Sequence, residues 1–88
     1  MKYKGTKITI YKTDYFKAYT TRDYCPMTEA IRRAIPNARQ ISPTYGHVYI
    51  DGIAYRFPAV AIGIMNALYR KPNERDLVET TFELGEPL

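Results

Sequence analysis

One cysteine, one histidine and no tryptophan stand in these 88 residues, and each scarcity excludes something. A lone Cys25 forbids an intrachain disulfide, and one Cys with one His excludes the usual Cys/His zinc frameworks. No metal or cofactor is therefore expected. Long hydrophobic runs are missing too: the longest apolar stretch, Phe57 to Leu68, is too short to cross a bilayer. The lysine-bearing start of the chain has no apolar core of a signal peptide. These absences predict a cytoplasmic protein without a membrane partner. Carboxylates are sparse before residue 74, which leaves few pairs for acid–base catalysis. There is no glycine-rich phosphate loop, no HExxH and no RNA-binding sheet signature. An enzyme is not expected.

What is present describes a folded chain of one domain, residues 1–88, with 45% hydrophobic residues to build a core. At this size the fold is marginal, so a partner or a dimer interface would add stability. Charge is unevenly spread. Twelve Lys and Arg against four carboxylates give residues 1–73 a net +8, and one Arg against five carboxylates gives residues 74–88 a net −4. A basic body invites nucleic acid or an acidic protein, unless the acidic tail lies against it and cancels its field.

Periodicity supplies the elements. Thr6 to Lys12 alternates, with Ile8 and Ile10 on one face and Lys7, Thr9 and Tyr11 on the other, as in a half-buried strand. Asp14 to Tyr24 reads as a loop holding at most one helical turn. Pro26 suits a first helical position, and Met27, Ala30, Ile31, Ala34 and Ile35 make an apolar stripe over a helix of residues 26–35, with Arg32 and Arg33 turned away. Arg39 to Thr44 is a candidate short strand with Ile41 inward, which Pro43 either limits to an edge or ends early. In HVYIDGIAYRFP, His47 to Pro58, Asp51-Gly52 is the pair a two-residue type I′ turn prefers. That turn pairs Ile50 with Ile53, Tyr49 with Ala54, Val48 with Tyr55 and His47 with Arg56. Val48, Ile50, Ile53, Tyr55 and Phe57 then face the core, and His47, Tyr49, Ala54 and Arg56 face outward.

Pro58 opens a second helix, Ala59 to about Arg70, uncharged from Ala59 to Leu68 and apolar nearly all round. Its circumference predicts either a helix central to the domain or one on which Ile62, Met65 or Tyr69 meets a second copy, as in a homodimer, or another partner. Gly63 is expected to let another backbone approach. Leu77 to Leu84 alternates as a last strand, with Val78, Thr80, Phe82 and Leu84 opposed by acidic Glu79 and Glu83. The fold class is α+β: two layers, a mainly antiparallel sheet of four to five strands with two helices on one face, in the order β-α-β-β(-β)-α-β. That order is compatible with a ferredoxin-like arrangement.

Cys25 precedes a helix N-terminus, a setting that favours thiolate, but no base is placed near it, so a small packing or capping role is the expectation. Six of the nine tyrosines, Tyr3, Tyr11, Tyr15, Tyr19, Tyr24 and Tyr49, have no evident core position. Interleaved with lysines, they suit either a protein interface or stacking on nucleobases. CPMTEAIRRAIP followed by HVYIDGIAYRFP resembles a layout in small uncharacterised proteins of phages and mobile elements. Cys25, Pro26, Ala30, Arg32, Arg33, Ala34, Tyr49, Gly52, Tyr55 and Pro58 carry the likeness over about residues 25–69. It implies a stand-alone accessory protein acting on a host factor, and no activity. The expected function is a non-enzymatic binding protein that covers a macromolecular surface. The alternative is a nucleic-acid-binding accessory domain. The expected binding face is His47, Tyr49 and Arg56, joined by Lys7 and Tyr11 if the first strand lies alongside.

Overall fold

The alternation at the start of the chain forms strand β1, Lys7–Ile10, with Ile8 and Ile10 fully buried and Lys7 exposed. The computed structural model describes residues 2–20, 24–69 and 78–88, with the backbone alone of Tyr19, Thr20 and Tyr69. Strands β2 (Ile41–Pro43), β3 (His47–Ile50) and β4 (Ile53–Arg56) form an antiparallel meander in that order. The hairpin register pairs His47 with Arg56, Val48 with Tyr55, Tyr49 with Ala54 and Ile50 with Ile53, as the alternation predicts. Asp51 (φ 51°) and Gly52 (φ 86°) take the two positive φ angles that a type I′ turn requires.

Asp51 does more than turn the chain. Its Oδ1 accepts the N–H groups of Arg39 and Gln40 at 2.8 and 2.9 Å, and its own N–H donates to the Gln40 carbonyl at 3.0 Å. The turn thereby holds the entry to β2. Ile53, expected in the core, is instead 48% exposed. It is the first residue after the turn on β4, while its cross-strand partner Ile50 is buried.

Among the described residues three helices form, where the pattern predicted two. The unpredicted one is α1, Lys12–Thr20, inside the stretch read as a loop. Tyr11 is its N-cap. The Asp14 carboxylate reaches back to the Tyr11 N–H at 2.8 Å, which is half of a capping box. Hydrophobic periodicity could not reveal α1, because its buried positions are Asp14 and Tyr15 rather than an apolar stripe. Tyr15, expected outside the core, is 3% exposed.

Helix α2, Pro26–Ala34, starts behind an extended Cys25 and buries Pro26, Met27, Ala30 and Ile31. Ile35 closes it and is buried too, whereas Ala34 faces solvent. Helix α3, Ala59–Tyr69, buries Ala61 and Met65 completely, with Ile62, Ile64 and Leu68 packed partly against the same core. Met65 is therefore a core residue and not the interface residue expected. Among the described residues Gly63 has no neighbour within 4 Å of where a Cβ would stand, so none of them brings its backbone close there.

Strand β5, Thr80–Glu83, is shorter than expected: Phe82 and Leu84 are buried, but Val78 is 58% exposed and precedes the strand, and Leu77 lies outside the described residues. β5 pairs antiparallel with β1 as a second, two-stranded sheet, with Lys7 opposite Glu83 and Thr9 opposite Thr81. Past Leu84 the chain changes partner. Leu84 N–H still donates to Thr6, but Gly85 N–H donates to the Arg56 carbonyl at 2.9 Å, Arg56 N–H to Glu86 at 3.0 Å and Leu88 N–H to Ala54 at 2.8 Å. Residues 85–88 thus run along the free edge of β4. Because β5 and this segment separate β1 from β4, β1 has one strand neighbour among the described residues. A ferredoxin-like sheet would hold its first strand inside. The fold is α+β, and the described residues form two antiparallel sheets, of two and three strands. Helix α2 packs against β1, β2 and α1.

Candidate interaction surfaces

The most connected polar cluster among the described residues joins α1, α2 and β1, and the sequence did not announce it. Asp14 is 2% exposed. Arg33 of α2 grips it with Nη1 on Oδ1 at 2.9 Å and Nη2 on Oδ2 at 2.8 Å, and Nη2 also donates to the Thr9 carbonyl at 3.1 Å. The Tyr24 hydroxyl donates to Oδ1 at 3.1 Å. The Arg33 guanidinium lies 5.1 Å from the centre of the Tyr11 ring, within cation–π range. Burial alone would raise the Asp14 carboxyl's pKa. Hydrogen bonds from Arg33 and Tyr11, the Arg33 charge and the Tyr24 hydroxyl together bring it below its ordinary value. Every acceptor is used, so the cluster is a brace between elements. Its one trace in the sequence is an acid at the third position of α1.

The second surface is the outer side of the meander, where His47, Tyr49 and Arg56 come together. His47 and Tyr49 meet edge to face, ring centres 5.0 Å apart. Cross-strand partners share a face. Ser42, Tyr49, Ala54 and Leu88 therefore form one row across β2, β3, β4 and the last residues. His47, Arg56 and Glu86 form the next, and Lys4 adds to it through an ion pair to Glu86 at 2.9 Å. Lys4 first, with Arg56 adding, holds the Glu86 carboxyl below its ordinary value. Here the acidic tail does lie on the basic body. In the other row Tyr49 is 42% exposed and Leu88 62%.

Lys7 and Tyr11 do not join that face, because β1 is not alongside β3. They line a groove between β1 and α2 with Thr9, Ala30, Arg33 and Ala34. Of the α3 residues expected at an interface, Ile62 is half-buried, Met65 is core, and the Tyr69 side chain lies outside the described residues. The exposed part of α3 is Ala59, Val60 and Gly63. Cys25 sits at the α2 N-cap without a side-chain capping bond, partly buried against the core. Among the described residues no three His, Cys, Asp or Glu side chains gather as a metal site, and no helix is long and apolar enough to cross a membrane. No family model, curated protein or solved structure matches this chain.

Proposed function

We propose that this chain is a non-enzymatic binding protein, a phage-type accessory protein or inhibitor working in the host cytoplasm, that covers a protein surface with the outer side of β2–β4. The two sheets then act as one curved platform, joined where residues 85–88 cross from β1 to β4. One observation carries the choice of partner. On this face Arg56 lies beside Glu86, and Glu86 also takes Lys4, while Ser42, Tyr49, Ala54 and Leu88 form a row with no charged side chain. An apolar centre with a polar rim suits a protein interface, and a rigid tyrosine is a common anchor in one. A nucleic-acid surface needs cations free to displace counterions from phosphates.

The test is affinity against salt for any partner recovered. For a protein partner, Tyr49→Ala should cost more affinity than Arg56→Ala, with a shallow salt dependence. A log–log salt slope that flattens by about one for each of Lys4 and Arg56 replaced would establish nucleic acid instead.

A further inference from the structure

Of the five glycines, only Gly52 follows an aspartate or asparagine, and it stands in the turn between β3 and β4. Asp51 and Gly52 are both exposed, and among the described residues nothing lies within 4 Å of where a Gly52 Cβ would stand. None of those residues takes the Gly52 N–H either. The nitrogen next to the Asp51 side chain is thus unhindered and unbonded. What restrains the pair is the Asp51 carboxylate, whose Oδ1 accepts the Arg39 and Gln40 N–H groups at 2.8 and 2.9 Å and is anchored by them to the entry of β2. Both bonds are exposed, and surface bonds of this kind open locally far more often than the whole chain unfolds.

We propose that Asp51–Gly52 is a site of spontaneous rearrangement to isoaspartate, and that the bonds from Arg39 and Gln40 set its rate. When they open, the carboxyl can rotate onto the Gly52 nitrogen, and a nucleophile held this close attacks readily. The Gly52 nitrogen bonds to Asp51 Cγ, the carboxyl hydroxyl leaves with the amide proton as water, and a five-membered succinimide closes. Water then opens the ring. Breaking the new N–Cγ bond restores aspartate; breaking the original peptide bond leaves the main chain running through Cβ and Cγ, one carbon longer. One water is lost and one gained, so the mass does not change. The reacting form is the neutral carboxyl, and the Gln40 and Arg39 N–H groups hold Asp51 below its ordinary pKa, which slows the reaction further. A turn lengthened by one atom loses the type I′ geometry that pairs His47 with Arg56 and Tyr49 with Ala54. The chemistry needs no partner, so it is independent of what the Tyr49 face binds.

The test holds three samples for weeks at mildly acidic pH: the full chain, its Arg39→Pro variant shown to be folded, and a blocked peptide of residues 47–56, which lacks Arg39 and Gln40. Isoaspartate at residue 51 is read by electron-transfer fragmentation of the digested samples. Each N–H bond slows the reaction about fivefold, so the full chain should convert about twentyfold more slowly than the peptide and Arg39→Pro about fivefold faster than the full chain. Asp14, whose next residue is tyrosine, should stay unconverted. The proposal is wrong if the full chain shows no isoaspartate at residue 51 by the time that slowing allows. Equal rates in the full chain and the peptide, or in the full chain and Arg39→Pro, would overturn it as well.

Discussion

Arg33 holds Asp14 by two parallel hydrogen bonds, 2.9 and 2.8 Å long, across nineteen residues of sequence. This fork fixes α1 against α2, and no apolar stripe on α1 would do so in its place. Asp14→Ala removes a helix cap and strands Arg33, which is 45% exposed and can rehydrate in part. The expected loss is therefore about 1–3 kcal/mol, read from the denaturant midpoint. Arg33→Lys should lose part of that, since a lysine cannot span both oxygens.

Acid should act through the same residue. The folded chain holds Asp14 below its ordinary pKa of 3.8, so its stabilisation is complete above that value. It is lost as pH falls from there through the lower folded value. Asp51, held down by the N–H groups of Gln40 and Arg39, and Glu86, held down by Lys4, contribute in the same direction. Stability measured from pH 7 to pH 2 should fall along this limb. Asp14→Asn should start lower and fall less; an identical fall in the variant would remove Asp14 from the account.

Gly85 marks the change of partner in the last strand. A Cβ there would stand 3.0 Å from the Arg56 carbonyl oxygen and 3.2 Å from the Arg56 Cβ, tighter than most such contacts, so the β4 backbone at Arg56 would have to give by a few tenths of an ångström. Gly85→Ala should cost about 1–3 kcal/mol by forced displacement. It should also speed amide exchange at Arg56 and Leu88, whose N–H groups close the β4 edge. Unchanged exchange at both would show that the crossing tolerates a side chain.

The hairpin, β1, α2 and α3 were legible because each buries a face with the period of its own geometry. Even there the ends failed: Ile53, Val78 and Ala34 fit their patterns but lie where an element runs out, and all are exposed. Helix α1 was illegible because a charged pair, not periodicity, holds it. The candidate site split for a related reason. Alternation told that Lys7, Tyr11, Tyr49 and Arg56 all point outward, but strand order depends on residues 85–88 crossing to β4, and no local pattern encodes that.

The Tyr55 hydroxyl is buried and has no hydrogen-bond partner among the described residues, while Tyr3 packs edge-on against the ring at 5.9 Å. Tyr55→Phe keeps the ring contact and removes the unpaired group. The melting temperature should hold or rise, by an equivalent of up to about 1 kcal/mol. A loss of that size would show that the hydroxyl is bonded to buried water.

Gly63 faces open space on the uncharged outer side of α3. Gly63→Ala should therefore stabilise the chain by up to about 1 kcal/mol, the helix preference of alanine over glycine. In the same samples sedimentation should not change. A loss of stability that grows with protein concentration would reveal a second copy packed closely against this helix.

The central claim is that the Tyr49 face binds protein. Its most direct measurement is capture from nuclease-treated host lysate on immobilised wild type, Tyr49→Ala and Arg56→Ala, each first shown to be folded. The account predicts a partner that survives nuclease, is retained by Arg56→Ala and is lost with Tyr49→Ala. A partner that vanishes with nuclease, or one held equally by all three proteins, would contradict it.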